Sequence, residues 1–257
     1  MKILVKLGGS LLDGDASRAA IAAQLAAARI ANPQTVVVHG GGKQMTRFLA
    51  ERNVESKFVD GLRVTNEAVL DAVLKVFAGS VNHQLVASLV AAGAPAVGIT
   101  GIDACLAEAE QLRPELGFVG RPVRSNPQLL ETLIGGGFLP VVACVAGDRQ
   151  GNIFNVNADQ MAVSCASGFQ SNRLFFLTDV DGVKDSGGHV IATLTLEQSR
   201  RLIADGVATG GMQAKLNAAE AALLGGVEEV VIAPGAASNI LARLLNGESV
   251  GTRFLRG

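Results

Sequence analysis

A chain of 257 residues, 49% of them hydrophobic, is long enough for one large α/β unit, or for two lobes on a shared sheet, with a sizeable core. Its formal net charge of -1, without a basic or acidic tract or an aromatic-plus-basic patch, argues against nucleic acid and membrane surfaces as partners. Small charged substrates stay open, because they need only local charge.

The chain opens on Lys2-Ile3-Leu4-Val5-Lys6-Leu7-Gly8-Gly9-Ser10, which lacks the charged, apolar and cleavage-site layout of a signal peptide. The apolar run reads as a buried first strand entering a turn with bare backbone. Lys6 puts a charge near the end of that strand, which is costly unless it meets water or an anion. Two readings stand: an anion site, or a lysine snorkelling beside an ordinary turn. Residues 15–31 are alanine-rich with polar breaks at Arg18, Gln24 and Arg29, a helix pattern. Residues 35–38 form a buried strand that runs into His39-Gly40-Gly41-Gly42 and then into helix-capable residues 43–52. In that layout, N–H groups at a helix start face an anion. Neither the Walker A pattern nor GxGxxG is met.

Gly61-Leu62-Arg63-Val64-Thr65 is a short extended piece, and Asn66 caps a long helix through Ala92. The longest uncharged run, residues 85–102, is divided by Gly93 and Pro95 into a helix end, a turn and a strand, a poor fit to a spanning helix. Residues 95–99 read as a strand, 112–125 as irregular or hairpin-like, 127–134 as a helix and 139–145 as a strand. Residues 151–160 form a turn and an extended segment that enter a helix to about Ser167, with Asn157 as its cap. A strand at 173–177 ends in the loop Thr178-Asp179-Val180-Asp181-Gly182-Val183. After a helix at 196–204, Thr209-Gly210-Gly211-Met212 leads into a helix carrying Lys215, and a strand, a helix and a closing strand follow at 229–233, 238–245 and 251–255. This alternation predicts an α/β fold, a three-layer αβα sandwich on a largely parallel open central sheet. No Pro-, Ser- or charge-rich linker interrupts it, so two lobes, 1–168 and 169–257, are expected to share the sheet.

Cys105, Cys144 and Cys165 are widely spaced and form no CxxC pair, which reads as buried or incidental thiols in a reducing, cytoplasmic compartment, with a catalytic thiol as the minority reading. No His, Cys or carboxylate set has metal-ligand spacing, so no protein-held metal is expected. The loops Gly8-Gly9, Gly40-Gly41-Gly42 and Gly210-Gly211 offer bare backbone donors that suit phosphate oxygens, and the first two can face one crevice beyond the strand ends. Lys6 precedes the first loop, and Lys215 lies four residues after Gly211. Both at the crevice would supply two positive charges to a phosphoryl group in flight, whose loose transition state mainly needs positioning and charge neutralisation. Asp159 is a candidate to pair with both lysines; alternatively it is a first-turn acid favoured by the helix dipole. Arg63 suits a substrate carboxylate, or is a solvated surface arginine. His39 reads as structural in preference to a general base, because an attacking carboxylate, with a free pKa near ~4.3, is already ionised at pH 7.

The segments Lys6-Leu7-Gly8-Gly9, His39-Gly40-Gly41-Gly42, Gly61-Leu62-Arg63-Val64-Thr65, Asn155-Val156-Asn157-Ala158-Asp159, Thr178-Asp179-Val180-Asp181-Gly182-Val183 and Gly210-Gly211-Met212 with Lys215 together resemble the amino acid kinase family. The resemblance runs in order over residues 2–254 and is most specific in the second pair of segments, GLRVT and NVNAD. It implies ATP-dependent phosphorylation of the side-chain carboxylate of N-acetyl-L-glutamate, an early step of arginine biosynthesis, with Mg2+ carried by the nucleotide. By the same resemblance Lys6 and Lys215 stabilise the transition state, Asp159 orients them, and Gly41, Gly42, Arg63 and Asn155 contact the acceptor. Gly8, Gly9, Thr178, Asp179, Val180, Asp181, Gly182, Val183, Gly210, Gly211 and Met212 are then the ATP contacts. Lys43 stands where the family often has proline and His83 where lysine is frequent; neither is a residue assigned to chemistry. Arginine-inhibited members carry an N-terminal helix that builds a hexamer, so with five residues before Lys6 the expectation is a homodimer insensitive to arginine. Two other functions stay open: a kinase for another acidic amino-acid derivative, of aminoadipate type, and a non-catalytic metabolite sensor on the same fold. A sensor would be expected to lose a reactive charge, yet Lys6, Asp159 and Lys215 are all present.

Overall fold

The first strand, β1 (Ile3–Leu7), is buried at every position, which a strand achieves only with neighbours on both edges and cover on both faces. The structure that supplies them, a computed structural model, describes residues 1–255; Arg256 and Gly257, the end of the expected second lobe, lie outside the described residues. After β1 come α1 (Asp15–Ala31), β2 (Thr35–His39), α2 (Gly42–Ala50) and a hairpin of β3 (Phe58–Val59) and β4 (Leu62–Arg63). Next, α3 (Glu67–Val73), a π-helical segment (Leu74–Val81) and α4 (Asn82–Ala91) form one helical rod leading to β5 (Ala96–Thr100). The first half ends with β6 (Ala107–Gln111), β7 (Val119–Ser125), α5 (Gln128–Gly135), β8 (Leu139–Ala143), β9 (Val145–Gly147), β10 (Ile153–Val156) and α6 (Ala158–Phe169). The second half contains β11 (Arg173–Thr178), β12 (Thr193–Leu194), α7 (Leu196–Ala204), α8 (Gly210–Leu224), β13 (Glu229–Pro234), α9 (Ile240–Leu245) and β14 (Thr252–Leu255).

Eight strands make the central sheet in the order β12-β14-β13-β11-β1-β2-β8-β5. Every neighbouring pair is parallel except β13 with β14. The expected α/β architecture with a largely parallel sheet is therefore what the chain adopts. Strands of the first half lie on one side and those of the second half on the other, and the seam is the β1–β11 pair. Local signals place the helix ends. The Asn66 side chain accepts from the Val69 N–H at 2.9 Å, and Asn157 accepts from Asp159 at 2.9 Å and Gln160 at 3.3 Å. These bonds satisfy orphan N–H donors at helix starts.

Three features go beyond the sequence reading. Residues 107–125 form an antiparallel pair, β6 with β7, that closes a small barrel with β9 and β10. The reading of 112–125 as irregular or hairpin-like missed β6 because Ala-Glu-Ala-Glu-Gln has low strand propensity; burial of Ala107 and Ala109 on one face decides it. The apolar run 139–145 serves two sheets, breaking at Cys144 between β8 and β9. The rod from Glu67 to Ala91 contains a π segment that no sequence pattern marks. By length and composition this rod is apolar enough to cross a membrane; one face of it packs into the core through Val69, Val73, Phe77, Val81, Leu85 and Leu89. Residues 85–102 resolve into a helix end, a turn with Gly93 at φ +88 and β5, as expected.

Candidate active site

Because β2, β1 and β11 run parallel, the loops beyond their carboxyl ends gather on one edge of the sheet. Chain order reverses at β1, and this is the position at which open α/β sheets bind ligands. On β1, Lys6 aligns with Val38 of β2 and Phe176 of β11. Its side chain is on the face opposite those of Val5 and Leu7, where the first turn of α6, shaped by the Asn157 cap, presents Asp159.

Lys6 Nζ lies 2.7 Å from Asp159 Oδ1, and Lys215 Nζ, one turn into α8, lies 3.2 Å from Asp159 Oδ2. The three side chains are 8%, 18% and 7% exposed for Lys6, Lys215 and Asp159, so neither lysine is a snorkelling surface residue. Burial by itself would raise the Asp159 carboxyl; the two ammonium groups outweigh it, and the net displacement is downward. One carboxylate between two ammonium groups leaves a formal positive charge over in a largely dry site. An anionic ligand is the natural complement.

The glycine loops meet beside this triad. A Cβ on Gly9 would lie 3.4 Å from the Gly42 nitrogen, so the loops after β1 and β2 face each other. A Cβ on Gly41 would strike the Phe77 ring at 2.9 Å, whereas around Gly42 the space is open. The Gln44 side chain, which the sequence did not mark, bridges the loops by donating to the Gly9 carbonyl at 3.4 Å. Gly8 also ties the two halves of the sheet together. Its N–H donates to the Leu177 carbonyl at 2.8 Å and stitches the seam between β1 and β11.

On the side of the second half, Asp179 and Asp181 are exposed and Val180 is half-buried. Gly182 and Val183 are buried against Thr252: Gly182 has φ +152, a Cβ there would meet Thr252 Oγ1 at 2.8 Å, and the Val183 N–H donates to that same oxygen at 2.8 Å. The Thr178 hydroxyl donates to Asp179 Oδ1 at 3.1 Å. Gly210, at φ +53, and Gly211 open α8 with free space around them, and Met212 packs partly against the core.

Arg63 is 9% exposed. Its guanidinium donates to Ser56 Oγ, to Thr46 Oγ1 at 2.9 Å and to the Gly42 carbonyl at 3.4 Å, and it stacks 4.5 Å from the Phe58 ring centroid. Burial draws its pKa downward. Among the described residues it forms no ion pair, so a buried cation is held ready by neutral partners, a cradle that suits a carboxylate. Ser56, Thr46 and Phe58 lie in different elements, and only the fold brings them to Arg63. Asn155 donates to Thr65 Oγ1 at 3.0 Å, which ties it to the segment carrying Arg63.

His39 is fully buried, and that burial lowers its pKa to about 4 despite the bond from Nδ1 to the Gly40 carbonyl at 2.8 Å. It is neutral at pH 7 and structural, as the sequence suggests. Cys144 and Cys165 are buried thiols pushed up to about 12, chiefly by desolvation, and are protonated at neutral pH.

Comparison with known proteins shows the family and the fold. Residues 1–234 match the model of the Amino acid kinase family. An acetylglutamate kinase of Solibacter usitatus (strain Ellin6076) is 63% identical over 255 residues, 99% of each chain. One of Ruegeria pomeroyi (strain ATCC 700808 / DSM 15171 / DSS-3) is 38% identical, covering 99% of this chain and 89% of that one. The solved structure of smu.665 from Streptococcus mutans UA159 superposes with a TM-score of 0.86 at 27% identity, covering 99% of this chain and 98% of that one. With the family match, the sequence identity and the superposition each extending over most or nearly all of the length, the chain belongs to the amino acid kinase family.

Proposed function

We propose that the protein transfers the γ-phosphoryl group of ATP to the side-chain carboxylate of N-acetyl-L-glutamate, forming an acyl phosphate on the route to arginine. The observation that carries this reading is the convergence of Lys6 and Lys215 on Asp159 beside the paired glycine loops. The acetylglutamate kinases named above support the choice of acceptor. A carboxylate oxygen attacks the γ-phosphorus in line, the bond to the β-bridging oxygen breaks, and ADP leaves with the electron pair. No proton moves, because the nucleophile is already ionised. Lys6 and Lys215 neutralise charge spreading over the equatorial oxygens, and Asp159 holds both ammonium groups in place. The Mg2+ enters with the nucleotide as part of the substrate.

In this reading Arg63 and Asn155 hold the acceptor together with Gly41 and Gly42. Gly8, Gly9 and the loops at 178–183 and 210–212 hold ATP; residues 1–168 form an acceptor lobe and 169–257 a nucleotide lobe. Incubation with Mg-ATP and N-acetyl-L-glutamate, with hydroxylamine to trap the product, is expected to give a hydroxamate. A product with an aminoadipate-type acid and none with N-acetyl-L-glutamate would move the acceptor assignment. ATP binding without any acceptor turnover would favour the metabolite sensor. Arg63→Ala is expected to raise the acceptor KM by about 10–100-fold, the scale of losing hydrogen bonds to a charged group, with kcat within about threefold. An unchanged KM in steady-state assays would remove Arg63 from the acceptor site.

The protein is read as a cytoplasmic homodimer. Its free cysteines fit a reducing compartment. Dimerisation is supported by β5, which ends the sheet with Ala96, Val97 and Ile99 only half-buried beside the apolar rod, and an open strand edge of this kind invites pairing. Light scattering is expected to give the mass of two chains, and the mass of one chain would exclude it.

A further inference from the structure

His39 and Asn82 take no part in the chemistry above, yet they form a buried chain that ends at the glycine loop. Asn82 stands where the π-helical segment gives way to α4. The wider turn shifts the phase of the side chains that follow, and Asn82 is turned into the core at 2% exposure. The sheet makes room for it: a Cβ on Gly98 of β5 would lie 1.9 Å from Asn82 Oδ1. The Asn82 amide group donates to the Val141 carbonyl at 3.0 Å and to His39 Nε2 at 2.9 Å, and His39 Nδ1 meets the Gly40 carbonyl at 2.8 Å.

Both ends of this chain are carbonyl oxygens, which only accept. One placement of protons satisfies every bond: Asn82 donates at both its amide hydrogens, Nε2 accepts, and Nδ1 carries the hydrogen. Any other tautomer or amide flip sets two acceptors face to face in a dry interior. The Gly40 carbonyl and the Gly41 N–H share one rigid trans peptide, so fixing the first fixes the second. The Gly41 N–H lies at the start of α2, where intrahelical partners are lacking. Gly40 also packs against the first residue of α6, since a Cβ on it would lie 3.2 Å from Ala158 Cβ, next to Asp159.

We propose that Asn82 and His39 are positioning residues that lock the Gly40–Gly41 peptide, and thereby aim the Gly41 N–H at the anionic groups of the reaction. This rests on the kinase reading above. His39→Asn keeps an amide nitrogen at the Nδ1 position and with it the bond to Gly40, whereas His39→Gln places its amide at the Nε2 position and loses that bond. Expected in steady-state assays is a kcat within about threefold of wild type for His39→Asn and at least about tenfold lower for His39→Gln, with the KM for ATP unchanged in both. Equal kcat values in two variants of equal Tm would overturn the proposal. Long-range proton–nitrogen NMR spectra of the wild-type imidazole provide a readout that needs no variant to fold. They are expected to show a neutral ring protonated at Nδ1, and a ring protonated at Nε2 would overturn the proposal. Failure of the wild-type protein to produce the hydroxamate would refute the acceptor assignment while leaving the tautomer result intact.

Discussion

Lys6→Ala and Lys215→Ala are each expected to lower kcat by about 10²–10³-fold, the scale on which single transition-state donors act, while ATP affinity changes less than about threefold. The asymmetry follows from the site. Both ammonium groups are anchored on Asp159 before any ligand arrives, so their positions do not depend on bound nucleotide. Their benefit grows as negative charge spreads over the migrating phosphoryl oxygens. The double variant is expected to lose less than the product of the two single losses, because both lysines act on one carboxylate and one phosphoryl group. Steady-state kinetics with calorimetric ATP binding checks this. A rise in both KM values with kcat untouched would assign the lysines to ground-state binding.

Asp159→Asn is expected to affect activity and stability together. Removing the carboxylate leaves two buried ammonium groups against a neutral amide, and loss of one partner from a buried ion pair costs roughly 3–5 kcal/mol. For a chain of this size, each kcal/mol moves Tm by roughly 2–4 °C. The Asp159 carboxyl, depressed on folding, stabilises the native state fully above its unfolded pKa near ~3.9, and that contribution is lost as pH falls through the lower folded value. The stability gap between wild type and Asp159→Asn is therefore expected at neutral pH and shrinks below about pH 4. Thermal melts from neutral to acid pH measure it; a gap that persists in acid would mean that the acid's charge does not hold the site. In activity, Asp159→Asn is expected to resemble the loss of a lysine, because both ammonium groups lose their anchor.

Much of this was legible in the chain itself, wherever the signal is local. The helix of residues 15–31 was set by its alanine periodicity, the starts of α3 and α6 by Asn66 and Asn157, and the sheet edge by glycines after apolar strands. Where the sequence left two readings, distance decided. Lys6 is an interior cation and not a snorkelling one, and Asp159 is both a first-turn acid and the partner of two lysines. What stayed hidden depends on tertiary contact. The segment Ala-Glu-Ala-Glu-Gln becomes β6 only because the barrel buries its alanines. Glycines that look alike differ by what surrounds them: Gly42 faces open space, Gly8 donates its N–H to the neighbouring strand, and Gly182 packs on Thr252. The Arg63 cradle and the Asn82–His39 chain each gather residues from distant elements, which no local pattern announces.

The central claim is that two lysines gathered on one aspartate recognise the phosphoryl group most strongly in mid-transfer. Calorimetry with ADP, Mg2+, aluminium fluoride and N-acetyl-L-glutamate, which together mimic the group in flight, tests it most directly. Wild-type protein is expected to bind this assembly far more tightly than it binds ATP alone, and Lys6→Ala and Lys215→Ala are each expected to weaken the mimic by about 10²-fold or more while sparing ATP. Equal weakening of the mimic and of ATP, or no weakening of either, would contradict it.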